Sequence, residues 1–394
     1  MDTKRVSLRS GAFAVAVLAA AVLAACGGGG SSTTTAGKTS FAMGRIAGFG
    51  SIVVNGVHYD ESSASVEDED GDSVNASDLR LGSMVEVDGG DVDKSGTNPT
   101  AKADHVKLIS LAKGPVEAVG ATSFVVLGQT VQVTATTVFD NSLSGGLSAL
   151  QLGAVVKVYG TLDSATGTYT ASRVEPKSGA TTYSLRGVVA ALDPMAKTMT
   201  IGSTVIDTSA ATLPNGLAVG SLVRVKLETA QVAGKWLARS VKSAEVRPHD
   251  SDHAEVEGTV TDFSSSASFS VDGMPVDASK ATFPDGTAGI VKGARVEVEG
   301  AVVNGTLVAT KVEVKSGGED AASGFEVDGA ISAADVPNAT ITVRGVTVKY
   351  GTSTTITNGT VTDLIVGASV EVHGSLAADG VSVEATSIKI KRKS

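Results

Sequence analysis

Three short segments carry residue types whose spacing could do chemistry. The densest acidic run is Glu67-Asp68-Glu69-Asp70-Gly71-Asp72. Its alternating Asp68, Asp70 and Asp72 could supply oxygen ligands to calcium, with Gly71 permitting a bend. The downstream glutamate of an EF-hand is missing and the run has no second copy, so it reads as a solvated loop that binds calcium weakly at most. His249-Asp250-Ser251-Asp252-His253 offers two imidazoles and two carboxylates, donors for zinc or copper if the loop curled. It follows Pro248 without paired scaffold residues and reads as a polar linker. Gly48-x-Gly50 suggests a phosphate cradle, but strand-like residues 51–54 follow where a dinucleotide site needs a helix, so a β-turn is expected. His58, His105 and His373 are scattered, and none is assigned a role. No metal, cofactor or catalytic residue is therefore expected.

Catalysis is also opposed by what the chain lacks. It has no Gly-x-Ser-x-Gly elbow, and its one cysteine, Cys26, sits near the amino terminus. No carboxylate pair returns at matching positions of the repeats described next.

The elements that must position any site come from a unit of about 70 residues copied five times. Each copy opens on Gly-x-Val/Ile: Gly44-Arg45-Ile46, Gly114-Pro115-Val116, Gly187-Val188-Val189, Gly258-Thr259-Val260 and Gly329-Ala330-Ile331. A strand ending in glycine follows, such as Ile52-Val53-Val54-Asn55-Gly56, where glycine gives the positive φ of a tight hairpin. Next comes an apolar residue, two residues, Gly, two residues and Val-x-Val, as in Leu79…Gly82…Val85-Glu86-Val87. That alternation puts one face in a core and one in water. The central residue is Glu86, Lys157, Arg224, Glu297 and Glu371 in turn, which suggests a solvated face. Asn304-Gly305 and Asp379-Gly380 are expected to be two-residue turns into the last strand.

The expected fold is all-β, with five tandem small antiparallel β-barrel (OB-like) modules; a small open β-sandwich is the alternative. The modules are placed at 41–111, 112–178, 183–247, 254–315 and 325–391. Connections of differing composition, from 107–113 to 315–323, lead us to expect beads in an irregular row.

Residues 1–25 read as a processing segment, with Lys4, Arg5 and Arg9 before an apolar stretch too short to span a bilayer. Leu23-Ala24-Ala25-Cys26 resembles the lipobox of bacterial lipoproteins. The resemblance implies lipid on Cys26, anchoring in a membrane and, with Gly27 following, the outer membrane. Residues 26–40 form a Gly/Ser/Thr tether. The repeats resemble an uncharacterised domain family found singly or in tandem in proteobacterial lipoproteins. Residues 48–57 carry that likeness most specifically, and Leu-x-x-Gly-x-x-Val-x-Val carries it in all five copies. The family implies an architecture and no activity.

Composition bounds the partners. The formal charge is −10, and removing the basic leader makes the rest more negative. Such a chain lacks the counterion release that drives nucleic-acid binding. At 4% aromatic it also lacks stacking platforms. The expectation is a non-enzymatic cell-envelope spacer, scaffold or multivalent adhesion surface, with an envelope protein or glycan as partner. The second reading is one small ligand, metal ion or glycan at a barrel mouth or inter-module cleft.

Overall fold

The computed structural model describes residues 38–315 and 324–391, all within one compact unit, Gly37–Ser394. Cys26, the leader and most of the tether lie outside the described residues. Module 1 is built from β1 (Ser40–Phe49), β2 (Ile52–Val54), β3 (Val57–Asp60), β4 (Ser65–Glu67), β5 (Met84–Gly89) and β6 (Thr100–Ile109). Module 2 contains β7 (Ala112–Val119), β8 (Ser123–Val126), β9 (Gln129–Phe139), β10 (Val155–Asp163) and β11 (Thr168–Pro176). Module 3 contains β12 (Tyr183–Asp193), β13 (Thr198–Ile201), β14 (Thr204–Asp207), β15 (Leu222–Val232) and β16 (Lys235–Ser243). Module 4 contains β17 (Ser251–Ser265), β18 (Ser268–Val271), β19 (Met274–Asp277), β20 (Arg295–Val303) and β21 (Thr306–Val314). Module 5 contains β22 (Phe325–Asp335), β23 (Thr340–Val343), β24 (Val346–Lys349), β25 (Thr355–Thr357), β26 (Ser369–Leu376) and β27 (Val383–Lys391).

Each module closes into a five-strand ring. In module 2, β7 pairs antiparallel with β8 and β10, β8 with β9, and β10 with β11; β9 and β11 close the ring in parallel. The other rings close through the parallel pairs β3–β6, β14–β16, β19–β21 and β24–β27. This is the OB-like order, so the open sandwich does not form. The valines of the Val-x-Val signature point inward, each at most 1% exposed, from Val85 and Val87 to Val370 and Val372.

Two sequence signatures meet in space through the backbone. The glycine N–H of Leu-x-x-Gly donates to the apolar carbonyl of the opening step: Gly82 to Ile46, Gly153 to Val116, Gly220 to Val189, Gly293 to Val260 and Gly367 to Ile331, at 2.8–2.9 Å. The reverse bond, from the Ile46 N–H to the Ser83 carbonyl and its four equivalents, has the same length. To make this pair of bonds the glycine takes φ between 79° and 93° in every copy, where a side chain is strained.

The modules are not beads in a row. The first strand of module 1 pairs in parallel with the first strand of module 4, Ser40–Met43 against His253–Val256. It then pairs in parallel with the first strand of module 5, Gly48 and Phe49 against Glu326 and Val327. Modules 2 and 3 join by an antiparallel bridge, Ala112 and Lys113 against Leu185 and Ser184. Buried apolar residues form one cluster largely from modules 1, 4 and 5 and another from modules 2 and 3. The physical reason is edge pairing: first strands longer than their own ring needs leave backbone donors and acceptors, which the neighbours satisfy.

Two turn expectations divide. Asn304 and Gly305 form the two-residue turn, both at positive φ. Asp379-Gly380 instead lies in a longer loop, because the Asp379 carboxylate accepts from Val381 N, Ser382 N and Ser382 Oγ and pairs with Lys349 Nζ at 2.6 Å.

Candidate functional site

The polar chemistry of the chain gathers where modules meet. The antiparallel bridge between β7 and β12 sets β10, β7, β12 and β15 side by side, so Lys157, Lys113, Arg224 and Lys226 form a cationic ladder. Onto it the acidic loop of module 1 lays Glu69 and Asp70. Glu69 Oε1 lies 2.8 Å from Arg224 Nη2 and accepts from Ser110 Oγ, while its Oε2 lies 3.6 Å from Lys157 Nζ. Asp70 meets Arg224 Nη1 and, at 3.1 Å, Lys226 Nζ. Burial pushes the Glu69 carboxyl up, but Lys157 and Arg224 outweigh it and hold the group below its ordinary value. Lys113 is shifted down, first by burial. The Lys157 and Arg224 positions, read from sequence as a solvated face, are only 8% exposed, because another module's carboxylate covers them.

Three groups of metal-ligating side chains converge among the described residues. The first is Asp68, Asp70 and Asp72, as the sequence spacing suggested. The chain's own donors occupy much of it: Asp68 Oδ1 accepts from Asp70 N at 2.8 Å and Asp72 N at 3.1 Å, and Asp70 carries the two cations just described. The second is Glu255, Glu297 and Glu299, next to the β1–β17 seam. Burial, then a hydrogen bond and repulsion from Glu297, push the Glu255 carboxyl up to about 9, so it holds a proton at neutral pH. The third joins Glu326, Glu371 and His373 of module 5, with His58 of module 1 standing 3.5 Å from Glu326.

His249 and His253 do not come together in any of these groups. His249 is exposed. His253 belongs to β17, with its Nε2 3.9 Å from Glu255 Oε2, and burial shifts the imidazole down. The segment is a docking edge, correcting the linker reading: Asp252 Oδ2 accepts from Thr39 N at 3.2 Å and Asp250 Oδ1 from Gly305 N at 3.3 Å. The turn at Gly50 forms as expected, and Gly48 has a second task. A Cβ there would stand 2.7 Å from the Glu326 carbonyl, so only glycine lets module 5 approach.

A cleft of about 520 Å³ opens between modules 1, 2 and 5. Phe49, Arg80, Phe139, Arg173 and Arg344 are among the residues lining it. Arg173 is neutralised by Asp140 at 3.1 Å and Glu175 at 3.2 Å. Arg344 donates through Nε to the Asp328 carbonyl at 2.9 Å.

A family model described as a domain of unknown function, DUF5666, matches residues 113–175, 186–242, 257–313 and 328–389, more than half of the sequence. The chain belongs to the DUF5666 family. No curated protein matches it.

The four matched DUF5666 segments fall on modules 2 to 5. Module 1, whose residues 48–57 were read as the most specific part of the likeness, lies outside them. It has the same ring, with β4 pairing in parallel with β6 as β25 does with β27 in module 5, and adds the acidic loop. The seam chemistry therefore sits at positions that differ between DUF5666 copies. The shared repeat pattern carries no signal for such positions, His58, Glu326 and His373 among them.

Proposed function

We propose that this DUF5666 protein is a lipid-anchored, non-enzymatic protein of the cell envelope, whose five fused modules act as a scaffold and binding surface. The observation that carries the scaffold is the fusion itself: strand pairing ties module 1 to modules 4 and 5, and a buried Glu69 ties it to modules 2 and 3. The anchor rests on Cys26 after Ala24-Ala25, ahead of a Gly/Ser/Thr tether, and the outer membrane on Gly27. The non-enzymatic reading is supported by the use of the buried charges, Glu69, Lys157 and Arg224, in holding modules together. Fused modules bind as one surface, so graded avidity gives way to cooperative loss.

Two measurements test this. Cys26→Ser is expected to move the protein from the membrane to the soluble fraction, and unchanged fractionation would end the anchoring. Affinity capture from solubilised envelope, with the intact chain and an R224E variant as baits, is expected to enrich one protein or glycan with the intact bait only. Equal capture by both baits would sink the composite surface.

The cleft favours a second reading, a single small ligand held between modules 1, 2 and 5. Its volume suits a small molecule. Arginines beside Phe49 and Phe139 suit an acidic group on an apolar or sugar body. A thermal-shift screen of acidic sugars should give a rise that Arg80→Ala and Arg344→Ala together abolish.

A further inference from the structure

We propose that Glu326, Glu371 and His373 bind a divalent transition metal ion, zinc-like in its ligand preference, at the seam between modules 1 and 5, with His58 orienting Glu326. β22 and β26 are antiparallel, with Glu326 directly opposite His373 and Glu371 two residues before it on the same face. One ligating atom from each residue lies within 4.8 Å of the others. His373 Nε2 stands 3.2 Å from Glu371 Oε1, and His58 Nε2 stands 3.5 Å from Glu326 Oε2. Two ligands of a tetrahedral zinc with bonds of about 2.0–2.2 Å lie about 3.3–3.6 Å apart, so the His373–Glu371 contact is close to one edge already. Imidazole nitrogen with carboxylate oxygen is a donor set for zinc and its neighbours, unlike the other two groups among the described residues, which are all carboxylate.

The surroundings fit a site that is partly shielded and still reachable. Side-chain exposure is 15% for His58, 17% for Glu326, 19% for Glu371 and 46% for His373. Lys389 Nζ at 3.3 Å and Lys391 Nζ at 3.6 Å engage the second oxygen of Glu371, Oε2, and leave Oε1 to the metal. Lys391 also pairs with Asp328, which draws its charge away from the site. His58 comes from the other module and meets Glu326 where β1 and β22 run side by side. A partner of this kind fixes a ligating carboxylate and is typically worth about 10–100-fold in affinity. The metal would therefore favour the docked arrangement of module 5 on module 1.

The test is isothermal titration of zinc into the full chain, freed of metal with chelator, in a non-coordinating buffer at pH 7. One equivalent should bind. His373→Ala and Glu371→Gln should each weaken binding about 100-fold or abolish it, His58→Ala should weaken it about 10-fold, and His249→Ala should leave it unchanged. Circular dichroism of the metal-free variants checks that they fold, which exposed His373 should permit. Cobalt in place of zinc should give the intense visible bands of a four-coordinate ion, lost in H373A. Absence of heat with the folded chain, heat unchanged in H373A and E371Q, or heat lost in H249A would each overturn the proposal.

Discussion

Glu69 is buried between Lys157 and Arg224, and removing its charge should be costly. Glu69→Gln keeps the shape but leaves Lys157 without its carboxylate and Arg224 with Asp70 alone. Breaking one side of a buried ion group costs about 3–5 kcal/mol, and chemical denaturation of the variant should show it. The pH dependence has two limbs of opposite sign. Because the folded Glu69 carboxyl lies below its ordinary 4.5, its contribution is present above 4.5 and is lost as pH falls through the folded value. Glu255, raised from 4.5 to about 9, contributes fully below 4.5 and loses that contribution as pH rises toward 9, when its charge appears beside Glu297 and Glu299. Unfolding midpoints across pH should therefore decline on both sides. E255Q should flatten the alkaline limb alone; an unchanged alkaline limb would contradict the buried proton on Glu255.

At the scale of the element, the five Leu-x-x-Gly glycines share a conformation but not a neighbourhood. Around Gly220 an added Cβ meets nothing within 4 Å, so Gly220→Ala should cost only the strained φ, about 1–2 kcal/mol. At Gly82 the same methyl stands 2.7 Å from the Ser172 carbonyl of module 2. Gly82→Ala should thus cost more than G220A in thermal unfolding; equal losses would show that this seam contributes little. These elements were the most legible part of the sequence. Alternating valines, Asn55-Gly56 and Asn304-Gly305 encode strands and turns locally, within a few residues. Lys157 and Arg224 were misread because their burial depends on Glu69, some 90 and 155 residues away. His58 carries no local signal for the same reason, since only strand register across modules brings it to Glu326, whereas His373 meets Glu326 and Glu371 within module 5. Asp379 failed as a turn residue because its carboxylate recruits its own loop and Lys349.

For the whole molecule, module 1 is the hub. Its first strand covers the edges of β17 and β22, and backbone edges left open recruit other chains. A chain lacking 41–111 should therefore self-associate, seen as higher mass by size exclusion with light scattering. A well-behaved monomer would show that modules 4 and 5 do not depend on that cover. Raised salt should weaken the exposed Arg239–Glu228 pair more than the Glu69 group, since screening acts through solvent.

The hub also limits how the array can change its length. In a row of independent beads a copy can be gained or lost at any position with little effect on the rest. Here Thr39 must reach Asp252, 213 residues further along, and Asn55 must reach the carbonyl of Glu255, 200 residues further along. A copy duplicated or deleted between modules 1 and 4 would bring a different repeat to each of those places, with other side chains than Asp252, Glu255 and Glu326 at the matching positions. The spacing of module 1 from modules 4 and 5 is thus fixed by side chains particular to each copy, even where every single module still folds.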